Sequence, residues 1–118
     1  MYLWEEGKIV ETHLVSTGKY YPTPTGKFAI LNKVKNAYSD IFDVWMPYWM
    51  AFHYASDVNA SLGIHELPYV LSEDGNEVLR PTDFLGTPNT GGCISLDVGV
   101  AKRVFEWSEI GTPVYIFQ

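Results

Sequence analysis

Apolar and polar residues alternate in short runs along most of the chain, and this pattern predicts β-strands. The runs are rich in Val, Ile and aromatic residues and are bounded by Gly, Pro, Asn and Asp, which are typical of turns. In the most apolar run, Pro47 and the surrounding aromatic residues favour an irregular strand rather than a helix. The predicted strands cover residues 2–5, 8–16, 27–34, 44–54, 62–67 and 112–118.

The segments between these runs predict connections of different kinds. Residues 16–26 are rich in turn-forming residues and predict a surface loop, and the polar residues 35–43 predict a second connection. From residue 68 to residue 89 the pattern fades, with a turn signal at 74–76. Long segments of this kind in compact domains often cover binding sites, so we expect a lid over residues 68–89.

One helix is predicted after residue 96, because four apolar residues fall on one face at helical spacing. Asp97 is the expected N-cap, and Gly111 fits the end of the helix. The chain is therefore predicted to form a single, mainly-β domain over residues 1–118, with two packed sheets and one helix. The four apolar residues are Val100, Ala101, Val104 and Trp107.

Composition and charge limit the classes of partner. The 118 residues suffice for one domain with a single core, and the 15% aromatic content predicts an aromatic core or an aromatic-lined groove. A net charge of −6 without basic runs makes nucleic acid an unsuitable partner. No apolar run approaches the ~20 residues that a membrane-spanning helix needs. The first residues lack the features of a signal peptide, so we expect any targeting segment of an exported protein to lie outside this chain.

The segment from Asn89 to Leu96 carries the only cysteine, Cys93, directly after Gly91 and Gly92. Glycines allow a ligand to approach the backbone, and their amide groups can point at a developing negative charge. A thiol in this position is placed as a nucleophile. The alternative interpretation is a buried cysteine that packs as a small apolar residue and has no chemical role.

A nucleophilic thiol needs a neighbouring base, and His65 on the predicted strand 62–67 is the candidate. The two residues are 28 positions apart, which permits proximity on adjacent strands. The backbone carbonyl of Glu66 is expected to orient the imidazole, since neighbouring residues on a strand face opposite sides. His65 as an ordinary core histidine is the alternative.

Further candidates surround this pair. Tyr48, Trp49 and His53 lie in the aromatic strand and are expected to line the same groove, although composition alone also fits a core role for the first two. Thr90 is expected either to contact the nucleophile or to close a turn, and Ser95 is a candidate substrate contact. A zinc site from His53, His65 and Cys93 matches no known ligand spacing, so no metal or other cofactor is predicted.

With these residues in place, the chain resembles the catalytic domain of the L,D-transpeptidase (YkuD) family. The family pattern is a histidine followed, after a variable loop, by [Ser/Thr]-His-Gly-Cys-[Ile/Val]-[Arg/Asn]-[Leu/Met], and His65 and the segment 90–96 match it. The segments 15–18, 23–28, 46–49 and 63–65 also resemble the family, in the same order. The resemblance implies a β-sandwich of mixed strands with one α-helix after the catalytic cysteine.

Three positions depart from the family pattern. Glu66 replaces a small residue after the histidine, Gly91 replaces the second histidine, and Ser95 replaces Arg or Asn. The thiol, the first histidine and Gly92 remain.

The resemblance implies acyl transfer on bacterial peptidoglycan in the periplasm or cell wall. Cys93 attacks the carbonyl of the third stem-peptide residue and releases the terminal D-residue, His65 transfers the proton, and the amides of Gly91, Gly92 and Cys93 hold the oxyanion. An amine from a second stem then forms a 3-3 cross-link. The expected partners are stem peptides, with carbapenem-type β-lactams as covalent inhibitors.

Three alternatives stay open. An L,D-carboxypeptidase uses the same site with water as the acceptor. A sortase-like transpeptidase requires an arginine near the thiol, whereas Arg103 lies on the predicted helix. A non-catalytic wall-binding domain predicts a buried and unreactive Cys93.

Overall fold

The computed structural model describes residues 1–79 and 85–117, and this part of the chain contains twelve β-strands and one α-helix. The prediction of a mainly-β fold with one helix after the cysteine is therefore confirmed. The elements are β1 (Tyr2–Glu5), β2 (Lys8–Thr12), β3 (Val15–Gly18), β4 (Gly26–Ala29), β5 (Asn32–Ser39), β6 (Val44–Ala55), β7 (Ala60–Glu66), β8 (Tyr69–Leu71), β9 (Glu77–Leu79), β10 (Pro88–Thr90), β11 (Ile94–Leu96), α1 (Val100–Trp107) and β12 (Pro113–Ile116).

A curled, mixed sheet of eight strands forms the body of the described structure. Its strand order is β10-β3-β11-β7-β6-β8-β9, with β5 paired to β6 as well. β11 runs parallel to β7, and β10 runs parallel to β3, whereas the other pairs are antiparallel. Two small sheets, β1-β2 and β4-β12, complete the fold. The central position of β7 and β11 brings together the strand of His65 and the strand that follows Cys93.

The core lies between the central sheet and α1. Met50 and Leu96 are fully buried, and Ala101 and Val104 on the helix close over the sheet, as their helical spacing predicts. No helix in residues 1–79 and 85–117 has the length and apolar character to cross a membrane. The other members of this core include Phe52, Leu62, Ile64 and Ile94.

Two predicted strands are each divided in the structure. The predicted strand 8–16 is β2 and β3, because the backbone pairing of Met1 with His13 closes the first hairpin before the chain enters the central sheet. The predicted strand 27–34 is β4 and the start of β5, which belong to different sheets. Residues 35–39, predicted as a connection, continue β5. β5 pairs only with β6 among the described strands and is largely exposed, so it carries no alternating apolar signal.

The prediction that residues 68–89 form one irregular lid segment is wrong. Residues 69–79 form the hairpin β8-β9, whose turn contains Gly75 at φ +84°, and residues 88–90 form β10. The turn signal at 74–76 is therefore confirmed, and residues 80–84 lie outside the described part. The hairpin exposes most of its side chains, and this exposure removes the apolar alternation that identifies a strand.

Both predicted ends of the helix are wrong. The N-cap is Gly99 at φ +85°, while the side chain of Asp97 accepts a hydrogen bond from Val98 N at 2.8 Å. At the other end the helix stops at Ser108 in an extended conformation, and Gly111 lies beyond it, donating to the carbonyl of Ile30. The helix thus ends with a local bond from Ser108 N to the Val104 carbonyl, and Gly111 is used in a tertiary bond instead of a cap.

Candidate active site

The parallel pairing of β11 with β7 places Cys93 and His65 on one face of the sheet. Ser95 is paired with His65 and Ile94 with Ile64, so Cys93 lies beside Gly63. Residues two positions apart on a strand share a face, which makes Cys93 the diagonal neighbour of His65. Both side chains line one pocket of about 260 Å³.

The imidazole of His65 is held in one orientation by its neighbour. Its Nδ1 lies 2.6 Å from the backbone carbonyl oxygen of Glu66, and the ring is buried. A carbonyl only accepts hydrogen bonds, so Nδ1 carries the proton and the lone pair is on Nε2. This is the tautomer that a base facing the pocket needs.

Burial keeps both groups neutral in the resting state. It lowers the pKa of His65 to about 4, against the weaker opposing effect of the Glu66 carbonyl. Burial also raises the pKa of the Cys93 thiol, although a backbone hydrogen bond from Gly63 acts in the other direction. Near pH 7 the pair is therefore a thiol beside a neutral imidazole. Cys93 is nevertheless partly exposed, and it opens into the pocket rather than being sealed in the core.

The side chain of Glu66 points away from the imidazole, as alternation on a strand requires. Its Oε1 accepts a hydrogen bond from Gly99 N at 3.3 Å, at the start of α1. Burial raises the pKa of this carboxyl group. Glu66 therefore contacts the imidazole through its carbonyl and the start of α1 through its carboxylate.

The turn before Cys93 is closed by hydroxyl groups. Thr90 Oγ1 donates to the Cys93 carbonyl at 2.6 Å and accepts a hydrogen bond from Gly92 N at 3.1 Å. Thr23 Oγ1 donates to the Gly92 carbonyl at 2.7 Å. Gly92 has φ +129°, a conformation that favours glycine. Of the two expectations for Thr90, the structure shows the turn-closing contact, and the Gly92 amide expected in the oxyanion hole is bonded to Thr90.

The aromatic strand β6 changes face at Tyr48, which has φ +56°. Before this point Val44 and Met46 line the pocket, and after it Trp49 stacks on His65 with ring centroids 5.8 Å apart. Tyr48 itself faces a different pocket and packs against Phe105, with centroids 5.5 Å apart. The expectation that Tyr48 lines the groove is therefore wrong, because the positive φ interrupts the alternation.

Two other expected contacts also differ. His53 follows an irregularity in the β6-β7 pairing and packs against Phe28, with centroids 5.1 Å apart, so it lies outside the pocket. Trp49 is buried behind His65 rather than open to a ligand. In contrast, Thr90, Gly91 and Ser95 line the pocket together with Cys93 and His65.

The remaining pocket walls come from residues that the sequence did not single out as site residues. Their only local signal is the presence of aromatic residues in turn-rich stretches, at Tyr20 and Phe42. The rest are ordinary apolar or polar residues whose role depends on tertiary contacts. The additional lining residues are Ser16, Tyr20, Phe42, Val44, Met46, Leu67, Pro68 and Asn89.

Two alternative kinds of site find no support in the described residues. Within residues 1–79 and 85–117, no group of three or more His, Cys, Asp or Glu side chains is placed to hold a metal ion. No arginine is among the described residues that line the pocket, and Arg103 instead contacts Glu11, with Nη2 2.7 Å from a carboxylate oxygen.

The chain matches one known protein family and several solved structures. The model of the family described as "L,D-transpeptidase catalytic domain" (YkuD) matches residues 1–116. A search of curated proteins found no match. An L,D-transpeptidase from Stackebrandtia nassauensis is 26% identical, with a TM-score of 0.75, and the match covers 99% of this chain and 49% of that one.

Two further structures share the fold at lower identity. The LD transpeptidase LdtMt1, in complex with imipenem, is 18% identical with a TM-score of 0.76, covering 94% of this chain and 50% of that one. L,D-transpeptidase 3 from Mycobacterium tuberculosis, in complex with a faropenem-derived adduct, is 21% identical with a TM-score of 0.64. The match covers 100% of this chain and 48% of that one. The chain thus spans about half the length of these structures.

Proposed function

Because the chain belongs to the L,D-transpeptidase (YkuD) catalytic domain family, we propose that it is a peptidoglycan L,D-transpeptidase with Cys93 as its nucleophile. The observation that carries this proposal is the pocket shared by Cys93 and His65, with Nδ1 of the imidazole held by the Glu66 carbonyl. We assign residues 1–118 to one catalytic domain. We place its action in the periplasm or cell wall, where stem peptides occur.

The first half-reaction is acylation of the thiol. Cys93 Sγ attacks the carbonyl carbon of the third stem residue while His65 Nε2 takes the thiol proton. The carbon–nitrogen bond to the terminal D-residue then breaks, and the same proton passes from Nε2 to the leaving amine. A thioester on Cys93 remains. The neutral His65 is suited to the first step because an already protonated imidazole accepts no proton.

The oxyanion formed in this step is assigned to backbone amides of the nucleophile turn. In related acyl transfers, each donor of this kind lowers the activation free energy by about 3 kcal/mol. We assign the role to the amides of Gly91 and Cys93. The amide of Gly92 joins them only if its 3.1 Å bond to Thr90 opens, because one N–H does not serve both acceptors well. Thr90 and Ser95 are the proposed polar substrate contacts.

The second half-reaction resolves the thioester. A side-chain amine of a second stem gives a proton to His65 Nε2 and attacks the thioester carbonyl. The carbon–sulfur bond breaks, the sulfur takes the proton back, and a cross-link between two third residues forms. Water in place of the amine gives the L,D-carboxypeptidase outcome from the same site.

A stem-peptide assay tests the proposal. The protein is incubated with a tetrapeptide stem, with and without an amine acceptor, and the products are identified by mass spectrometry. We expect release of the terminal D-residue and joining of two stems, both lost in Cys93→Ala and His65→Asn. His53→Asn is the matched control, since His53 lies on β6 outside the pocket, and it should retain turnover.

A second measurement separates the alternatives. Imipenem and faropenem are added, and the intact mass of the protein is recorded, because structurally similar L,D-transpeptidases were determined with imipenem or a faropenem-derived adduct. We expect a mass increase confined to protein that carries Cys93. Release of the terminal D-residue without joining of stems at saturating amine would indicate a carboxypeptidase. Absence of both the β-lactam adduct and any stem-peptide product would indicate a non-catalytic wall-binding domain.

A further inference from the structure

Thr23 joins the connection between β3 and β4 to the turn that precedes Cys93. Its Oγ1 donates to the carbonyl of Gly92 at 2.7 Å and accepts a hydrogen bond from Gly18 N at 2.9 Å. A hydroxyl has one proton and two acceptor lone pairs, so the bond from Gly18 leaves the proton for Gly92. The Thr23 hydroxyl therefore fixes the direction in which the Gly92 carbonyl points.

Thr23 is itself held in place by its neighbours. The proline before it has a fixed φ, and the proline after it restricts Thr23 to extended conformations. The ring of Tyr21 packs beside Gly92, where an added Cβ atom would be 3.1 Å from Tyr21 Cδ1. The Tyr21 hydroxyl donates to Asp57 Oδ1 at 3.0 Å, in the turn between β6 and β7. The segment that carries Thr23 is thus tied to the Gly92 turn and to the β6-β7 turn at once.

The contact between Thr23 and Gly92 also determines the direction of the Cys93 amide. The Gly92 carbonyl and the Cys93 N–H belong to one planar trans peptide unit, in which the C=O and the N–H point in opposite directions. With the carbonyl directed at Thr23, the N–H is directed away from Thr23. Neither Thr23 nor Gly92 is among the described residues that line the pocket, whereas Gly91 and Cys93 are.

The Cys93 amide is available as a hydrogen-bond donor. Within residues 1–79 and 85–117 it donates no hydrogen bond, whereas the Gly92 amide donates to Thr90 Oγ1 at 3.1 Å. A donor that is already oriented stabilises a developing oxyanion without reorganisation during the reaction. The orientation of this one amide is therefore a property on which the rate of acyl transfer depends.

We propose that Thr23 is a positioning residue for acylation, which directs the Cys93 N–H into the pocket through its hydrogen bond to the Gly92 carbonyl. The inference rests on the acylation step of the proposed function, in which this amide binds the oxyanion. Thr23 does not touch the acyl group, and its hydroxyl acts on the reaction only through the peptide unit between Gly92 and Cys93.

Two reactions of the same thiol separate this role from a purely structural one. With p-nitrophenyl acetate, Cys93 Sγ attacks the ester carbonyl and His65 Nε2 takes the thiol proton. Negative charge develops on the carbonyl oxygen before the carbon–oxygen bond breaks and nitrophenolate leaves. With iodoacetamide, the sulfur–carbon bond forms as iodide leaves, the thiol proton passes to solvent, and no oxyanion forms. Intact mass follows both reactions, with Cys93→Ala as the background, because Cys93 is the only cysteine.

Thr23→Val removes the hydroxyl and keeps the shape of the side chain. We expect it to slow acylation about 10- to 100-fold, on the scale of a weakened oxyanion donor, and to change alkylation at the same pH by less than about twofold. Thr23→Ser keeps the hydroxyl and should restore acylation. Thr25→Val is the matched control, because Thr25 is exposed on the same segment and forms neither of these bonds, and both its rates should match the wild type.

Equal slowing of acylation and alkylation in Thr23→Val would overturn the inference, because it would show a general disturbance of the turn. Unchanged acylation in Thr23→Val, or failure of Thr23→Ser to restore it, would also overturn the inference. If circular dichroism shows that Thr23→Val does not fold, Thr23→Cys takes its place with the same criteria, since a thiol is a weaker donor than a hydroxyl.

The outcome is distinct from that of the stem-peptide assay. If wild-type protein turns over no stem peptide but Thr23→Val slows acylation selectively, the proposed function fails and this inference stands. Stem turnover by the wild type without selective slowing in Thr23→Val refutes the inference alone. A wild-type thiol that is alkylated but never acylated by the ester refutes the inference, because no acylation then depends on Thr23.

Discussion

The indole of Trp49 lies directly over Gly63, and a Cβ atom at position 63 would be 2.8 Å from each of two ring carbons. The same indole stacks on His65 with the ring planes 25° apart. Gly63 also provides a backbone hydrogen bond to the Cys93 thiol. One residue without a side chain therefore allows Trp49, His65 and Cys93 to pack together.

Gly63→Ala should displace Trp49 and with it the imidazole. The added methyl group also meets the carbonyl oxygen of Met50 at 2.9 Å, so the backbone offers little room for adjustment. We expect the free energy of unfolding to fall by about 1–3 kcal/mol, as overpacking of a core typically does. Acylation of Cys93 should slow about tenfold or more, since small displacements of catalytic groups are costly. Urea denaturation and ester kinetics measure the two effects.

Gly75→Ala is the control for a generic glycine effect. Gly75 has φ +84° in the β8-β9 turn and no atom near the added Cβ, so only backbone strain is expected. Its acylation rate should match that of the wild type. Equal rates in Gly63→Ala and wild type would contradict the role assigned to the contact of Trp49 with Gly63.

The buried His65 should make stability depend on pH. Its pKa is 6.5 as a free group and about 4 in the folded protein, so the unfolded chain binds more protons between these values. The neutral, buried His65 therefore contributes about 3 kcal/mol to the free energy of unfolding above pH 6.5. This contribution is lost as the pH falls toward 4. The free energy of unfolding, measured in urea from pH 7.5 to pH 4, should show this loss.

His65→Gln isolates the effect, because other titrating groups are common to both proteins. The free energy of unfolding of the wild type should fall more steeply with decreasing pH than that of His65→Gln. The wild-type value minus the variant value should therefore be smaller at pH 4 than at pH 7.5. A difference that stays constant with pH would show that the folded protein holds His65 with an ordinary pKa.

Resting Cys93 should react slowly with iodoacetamide near neutral pH. Burial raises the pKa of the thiol above its ordinary value of 9.0, and the thiolate is the reactive form. The alkylation rate should therefore rise with pH beyond that value and lie below the rate for the same chain unfolded in urea. His65→Asn should leave the neutral-pH rate nearly unchanged. Rapid alkylation at pH 6 that disappears in His65→Asn would instead indicate a preformed thiolate–imidazolium pair.

Thr90→Ala should loosen the turn that presents Cys93. The change removes the bond to the Cys93 carbonyl and the bond from the Gly92 amide. We expect a loss of about 1–2 kcal/mol in the free energy of unfolding, in line with two partly buried hydrogen bonds, and slower acylation. Thr90→Ser keeps the hydroxyl and should recover both properties. If Thr90→Ser behaves like Thr90→Ala, the methyl group rather than the hydroxyl is responsible.

The sequence alone determined the features that depend on local chemistry. Alternating residues identified the mainly-β class, and the proline and aromatic residues around Pro47 identified an irregular strand there. The glycines before Cys93 identified a special turn, and strand alternation indicated that Glu66 orients His65 through its carbonyl, which lies 2.6 Å from Nδ1. These conclusions hold because backbone conformation and side-chain direction follow from a few neighbouring residues.

Only the tertiary structure decided which strands are neighbours and which side chains share a pocket. Alternation states that adjacent residues face opposite sides, but it does not place β11 beside β7. A single positive φ at Tyr48 reverses the side of the sheet to which the following residues of β6 point. As a result, Trp49 rather than Tyr48 packs against His65. The ring of Phe42 reaches Gly91 across 49 positions of chain. Long-range packing of this kind leaves no periodic trace, because each contact depends on the positions of two distant segments at once.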